Sequence, residues 1–279
     1  VRELLGASAI AAFLSATPAH ADAGQEAYDK GQYGIALDYW RPLAEQGVAT
    51  AEFGLGLIYE TGRGVKQDFP TALVWYQKAA DQGLADAQCA VGAMYSKGRG
   101  VPVDVVKAVA LYRMAAEQGN VHGEVNLGGM YIYGRGVPQD YVMAAYWYGK
   151  AADAGNSLGR ADLALLYLTG RGIQKDISEA AILYRQAAEA GDLVGENGLG
   201  VLYQKGLGVP QDYNLALSWY RKSAEQGDPD AASNLGIMYS RGEGIPQDLD
   251  QARTWLRKAA RQGNNNAILE LRRLGEQLP

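Results

Sequence analysis

A glycine returns every 36 residues along this chain, at Gly47, Gly83, Gly119, Gly155, Gly191, Gly227 and Gly263, with nothing inserted or lost between them. A fixed period of this size is the signature of a stacked array, in which each unit leaves an apolar face uncovered until its neighbour closes over it. Such a chain grows in one dimension, so its 279 residues are expected to form one elongated domain, where an ordinary chain of this length would form two globular ones.

Within one interval, Asn120 to Gly155, the apolar spacing marks two helices. Leu127, Met130 and Tyr131 follow Gly123 at i+4, i+7 and i+8, which lines one side of a helix. Gly134-Arg135-Gly136 ends it, because glycine suits the left-handed turn beyond a helix and is a poor interior residue. Asp140 then offers a carboxylate to the free N–H groups of a second helix, on which Ala144, Trp147, Tyr148, Ala151 and Ala152 share a face. The same aspartate recurs at Asp68, Asp104, Asp176, Asp212 and Asp248; Asp176 with Glu179 and Asp248 with Gln251 have capping-box spacing. These six are expected to cap helices and not to form a metal rail, since the repeat translation holds them apart. Glycine also lies inside the first helices, at Gly56, Gly92, Gly128, Gly200 and Gly236, with Ala164 as the one substitute. Each such glycine costs about 1 kcal/mol relative to alanine, which close approach between neighbouring helices would offset.

The clearest unit runs Ala51, Leu55, Gly56, Tyr59, Gly62, Gly64, Val65, Asp68, Ala72, Trp75, Tyr76, Lys78, Ala79, Ala80, Gly83. It resembles the Sel1-like repeat, a relative of the tetratricopeptide repeat with a longer turn between its helices. Departures are mild: Ala164 for the helix glycine, Leu111 and Leu183 for tryptophan, Leu256 for tyrosine. The resemblance implies an all-α fold, a right-handed superhelical α-solenoid of stacked antiparallel helix pairs. Six units are expected at 48–83, 84–119, 120–155, 156–191, 192–227 and 228–263. A shorter hairpin, 22–47, would cap the N-terminal end, its second helix bent by Pro42. Ala267 and Leu271 restart the pattern before Arg272 and Arg273 break it, so 264–279 reads as the C-terminal capping helix.

Residues 1–21 read as a secretory signal peptide: Arg2, an apolar core from Leu4 to Leu14, then Ala19-His20-Ala21 as a cleavage site. That core is too short to span a bilayer, and the expected location is periplasmic or secreted in a bacterium. No cysteine lies where a lipid anchor would need one. Cys89 is the single cysteine and reads as a partly buried spectator. With 31 acidic against 26 basic side chains, the chain lacks the basic footprint of a nucleic-acid binder.

Side chains that change from unit to unit are the candidates for recognition. Positions 53, 54, 57, 60 and 61 vary and gather on the side of the first helix opposite the constant residues 51, 55, 58 and 59. Stacking would align them, and the resemblance to tetratricopeptide proteins implies a concave groove for an extended peptide or protein segment. The candidate lining is Phe53, Leu57, Lys97, Val125, Asn126, Ile132, Tyr133, Asp162, Leu165, Asn197, Val201, Lys205, Asn234, Ile237 and Arg241. Asn126 and Asn234 occupy the slot where related repeats hold a peptide backbone; local bonds between helices are the alternative. Tyr133 is the best anchor, since exposed aromatics dominate binding energy where they fill pockets.

Arg63, Arg99, Arg135 and Arg171 form a second row, one per turn, which is either a solvated loop edge or a hold for an acidic partner. Gly62-Arg63-Gly64 lacks the third glycine and preceding strand of a dinucleotide site. The function expected is a non-enzymatic scaffold with no catalytic, metal or cofactor residues, and the resemblance implies service in envelope signalling, assembly or host contact. The rivals are a glycan-binding module and a β-lactamase-like hydrolase acting on the cell wall. S-x-x-K, K-T-G, G-x-S-x-G and H-E-x-x-H are all missing, and His122 is the only histidine beyond the signal segment. His122, like Thr50, Asp86 and Asp230, is expected between helices. Nothing in the residues specifies an oligomeric state.

Overall fold

The structure, a computed structural model, describes residues 18–276, so the segment expected to hold the signal peptide lies outside them apart from its last four residues. Among the described residues there are fifteen α-helices and no strand. An opening pair, α1 (Pro18–Asp29) and α2 (Tyr33–Glu45), precedes six more pairs. These are α3 (Ala49–Thr61) with α4 (Phe69–Asp81), α5 (Ala85–Lys97) with α6 (Val105–Glu117), and α7 (Val121–Tyr133) with α8 (Tyr141–Asp153). Then come α9 (Ser157–Thr169) with α10 (Ile177–Glu189), α11 (Leu193–Lys205) with α12 (Tyr213–Glu225), and α13 (Pro229–Arg241) with α14 (Leu249–Ala260), before α15 (Asn265–Arg273). The fold is an all-α repeat solenoid. The chain divides into two compact halves, one ending at Gly123 and the other starting at Glu124 within α7.

The punctuation read from the sequence is present in atoms. Every capping aspartate accepts from the first turn of its second helix: Asp68 from the Thr71 N–H at 3.1 Å, Asp104 from Lys107 at 2.9 Å, Asp212 from Asn214 at 2.9 Å and Leu215 at 3.0 Å. Asp140, Asp176 and Asp248 do the same. The capping boxes do not close, for a reason the spacing hides. In each repeat the aspartate's own N–H is already given to the carbonyl of a tyrosine in the first helix, as with Asp176 to Tyr167 at 3.1 Å and Asp248 to Tyr239 at 3.0 Å. The aspartate thus ties one helix to the other as well as starting the second. Among the described residues no group of three metal-ligating side chains converges.

Four of the five helix glycines, Gly56, Gly92, Gly128 and Gly200, face tyrosine rings, where backbone approach had been expected, and Gly236 faces Leu256. A Cβ on Gly200 would lie 2.7 Å from the Tyr220 ring, and one on Gly128 the same distance from Tyr148. Flat rings lie against the bare backbone, and Tyr76 and Tyr220 are almost wholly buried as a result. The turn glycine Gly100, at φ +69°, meets the Phe69 backbone of the preceding repeat, where a Cβ would come within 2.6 Å. Repeats therefore join turn to helix start as well as face to face.

In the N-terminal half one core centres on Trp40, Leu43, Leu55 and Ile58, the next on Tyr76, Val91 and Met94. The end of the C-terminal half packs round Tyr220, Leu235, Met238, Leu256 and Leu271. Helix α2 runs through Pro42, and α15 buries Ala267 and Leu271 while leaving Arg272 and Arg273 exposed. First helices of successive pairs approach one another, α1 with α3 in one half, α9 with α11 and α13 with α15 in the other.

Candidate functional site

The variable side of the first helices is layered. Phe53, Leu57, Val125, Ile132, Val201 and Ile237 are half-buried, and four of them help to close the stack: Phe53 and Leu57 pack on the core round Tyr76, Val201 and Ile237 on the last one. Lys97, Asn126, Tyr133, Leu165, Lys205 and Arg241 stand exposed beyond them. Tyr133 keeps 74% of its surface open and Leu165 47%, both in the C-terminal half. Lys97 is the exposed member of the N-terminal half.

Polar members of this face already hold one another. The Asn234 amide donates to Asn197 Oδ1 at 3.0 Å, from α13 to α11, which is the local helix-to-helix bond considered for this slot. Asp162, half-buried on α9, accepts from the Tyr148 hydroxyl. Burial pushes its carboxyl up to about 6 against the pull of that hydrogen bond, and the Asp192 charge adds to the rise. Arg241 pairs with Glu243 at 3.4 Å.

One set of participants was read only as packing. Tyr76, Tyr148 and Tyr220 reach through the pair with their hydroxyls and donate to polar groups of the variable face: Tyr76 to Glu60 at 2.8 Å, Tyr220 to Gln204 at 2.8 Å, Tyr148 to Asp162. Burial first, then the neighbouring carboxylates, raises all three phenols, so they remain protonated donors. The tyrosine recurring as Tyr76, Tyr112, Tyr148, Tyr184 and Tyr220 was the available signal.

The arginine row is neither a free rail nor a bare loop edge. Arg63 lies over the Tyr28 and Tyr33 rings at 5.6 Å and donates to the Tyr28 hydroxyl at 3.3 Å. Arg99 sits over Phe69 at 5.8 Å and reaches Glu60 at 3.4 Å; Arg171 lies over Tyr141 at 5.5 Å. Each clasps the preceding repeat. At the row's end Glu243 accepts from Gln204 at 2.8 Å, the same bridge with its polarity changed. His122, Thr50, Asp86 and Asp230 fall in the first turns of their helices, not between helices, because each first helix begins two residues earlier than the apolar pattern does, at Ala49 and Val121 against Ala51 and Gly123. Cys89 is buried.

The Sel1 repeat model matches residues 49–84, 85–120, 121–156, 157–192, 194–228 and 229–264. The chain belongs to the Sel1 repeat family. Sel1 repeat proteins typically act as protein-interaction scaffolds. Two solved structures are similar in sequence as well as fold. One is the Sel1 repeat protein from Oxalobacter formigenes, with 36% identity and a TM-score of 0.80, covering 86% of this chain and 96% of that one. The other is c5321, described as a protective antigen present in uropathogenic Escherichia coli strains, with 40% identity and a TM-score of 0.71 over 89% of this chain. This chain spans about half of that antigen, 54% of its length. The immunity protein Pa5087 from Pseudomonas aeruginosa shares the fold at 21% identity and a TM-score of 0.51. No curated protein matches the chain. Among the described residues no helix of this Sel1 repeat chain is long and apolar enough to cross a membrane.

Proposed function

We propose that this chain is an exported, non-enzymatic scaffold that binds an extended peptide or protein segment along the variable side of its first helices. The observation that carries the reading is the exposure of Tyr133 and Leu165 on a face whose other apolar members are half-buried and whose Asn197, Asn234 and Asp162 are hydrogen-bonded in place. An aromatic and an aliphatic side chain held open beside fixed polar groups suit a partner that brings apolar anchors to an ordered surface. Asn234 gives one of its two amide hydrogens to Asn197, which leaves the second and its carbonyl for a partner.

The export part rests on the apolar core Leu4–Leu14 and the Ala19-His20-Ala21 site; N-terminal sequencing of the mature chain from the periplasm and medium tests it, with a start at Asp22 expected. Binding is tested by placing a photoreactive residue at Tyr133, Leu165 or Lys205, and at Glu189 or Arg221 on second helices as controls. A partner crosslinked from the first three and not from the controls is the expected result. Equal crosslinking from both faces, or loss of none of it in Tyr133→Ala and Leu165→Ala chains, would remove the proposal.

A further inference from the structure

Between α8 and α10, over α9, lies a cleft of about 530 Å³ that the repeat pattern alone does not produce. Three departures from the pattern coincide in it. Leu183 stands where Trp75, Trp147, Trp219 and Trp255 stand in other repeats. Gly149 stands where Gln77, Arg113, Arg185, Arg221 and Arg257 do, and a Cβ built on it meets nothing within 4 Å. Arg160 occupies the slot that Glu52, Gln88, Glu124 and Glu196 fill, all of them buried.

In three of those repeats the slot is tied to its own second helix, whereas Glu124 keeps one buried carboxylate oxygen without a hydrogen bond. Gln82 donates to Glu52 at 2.7 Å and Gln118 to Gln88 at 2.8 Å, while Lys222 and Gln226 both reach Glu196 at 2.7 Å. The fourth repeat has Gln186 and Ala190 in place of the lysine and glutamine, and the half-buried Arg160 guanidinium makes no hydrogen bond or ion pair among the described residues. Its cation therefore faces the cleft without an ion pair, the lining carboxylates Asp153 and Glu179 lying more than 4 Å from it.

We infer that this cleft is a second binding site, on the second-helix side of the molecule, that receives a single Asp or Glu side chain from a surface segment of a protein partner. The planar guanidinium accepts a carboxylate through two parallel bonds, and partial burial strengthens them. Asp153 and Glu179 at the lining oppose phosphate and other polyanions, so one carboxylate with a basic neighbour fits better. Apolar neighbours are answered as well: Val142, Tyr146 and Ile182 are exposed on α8 and α10, whereas the matching residues of α12 and α14 are Asn214, Ser218, Asp250 and Thr254.

The test selects random linear peptides displayed on phage against the full chain, after depletion on the Gly149→Arg chain, which carries the arginine found at this position in four other repeats. Enriched peptides should carry Asp or Glu beside an apolar residue. A synthetic peptide from that set should weaken about tenfold or more on Arg160→Gln, Gly149→Arg and Leu183→Trp chains, and equally when its own acid becomes the amide. Tyr133→Ala should leave it unchanged, which separates this site from the first-helix face. Enrichment without acidic residues, unchanged affinity on the Gly149→Arg chain, or displacement by inorganic phosphate as readily as by glutamate would each overturn the assignment. Circular dichroism melts of the three variants confirm that the stack is intact; Gly149→Arg alone suffices if another unfolds.

Discussion

Asp162→Asn tests the electrostatics of the first-helix face with a sign fixed in advance. The folded chain raises this carboxyl from its ordinary 3.8 to about 6, chiefly by burial. At about 1.4 kcal/mol per unit, keeping it charged above pH 6 costs the fold about 3 kcal/mol. Because the folded value exceeds the unfolded one, the folded state holds the proton more tightly. Its contribution is complete below about pH 4 and is lost as pH rises through about 6. Asparagine removes the charge, keeps the shape and weakens the bond from Tyr148 by about 1 kcal/mol. Allowing for the solvent that still reaches the group, the net gain is about 1 to 2 kcal/mol at pH 8 and near zero at pH 4.5. Urea unfolding of wild type and variant, followed by circular dichroism at both pH values, reads this difference directly. The same slot holds asparagine in Asn126 and Asn234, so the residue is compatible with the stack. A variant less stable than wild type at pH 8, or an offset that ignores pH, would refute the argument from burial.

Other outcomes follow from the packing. Gly200→Ala should destabilise by about 1 to 3 kcal/mol, because its Cβ must displace the buried Tyr220 ring, while Gly149→Ala, with open space round it, should stabilise by about 1 kcal/mol; thermal melts of the two check the contrast. Asp212→Ala should cost about 1 kcal/mol by leaving the Asn214 and Leu215 N–H groups without their acceptor, measured by the same urea series. Removing residues 156–191 as one piece should leave a folded, shorter and less stable chain, since each repeat touches its neighbours only; an unfolded product from every such single-repeat deletion would count against a stack.

The helix pairs, their capping aspartates and their closing glycines were legible because each is a local requirement repeated without variation. What escaped reading depended on pairs of positions far apart in sequence. The capping boxes failed at Asp176 and Asp248 because a carbonyl one helix back, from Tyr167 and Tyr239, reaches the N–H first. The arginine row looked like loop charge, yet Arg99 meets Glu60 and Phe69 across the join between repeats, a contact visible only once the period is folded back on itself.

That same folding back separates the two faces. On the first-helix side, variation is absorbed by compensating partners: Glu60 with Arg99, Gln204 with Glu243, Asn197 with Asn234. Under the proposed function, exposed groups such as Tyr133 are then the exceptions that an external partner would cover. On the second-helix side the buried slot is compensated at Glu52, Gln88 and Glu196, and the half-buried Arg160 has no such bond, beside Gly149, the smallest wall residue of its series. A repeat protein advertises its binding positions by where this internal pairing lapses, which is a sharper criterion than variability, because a residue that varies together with its neighbour serves the stack.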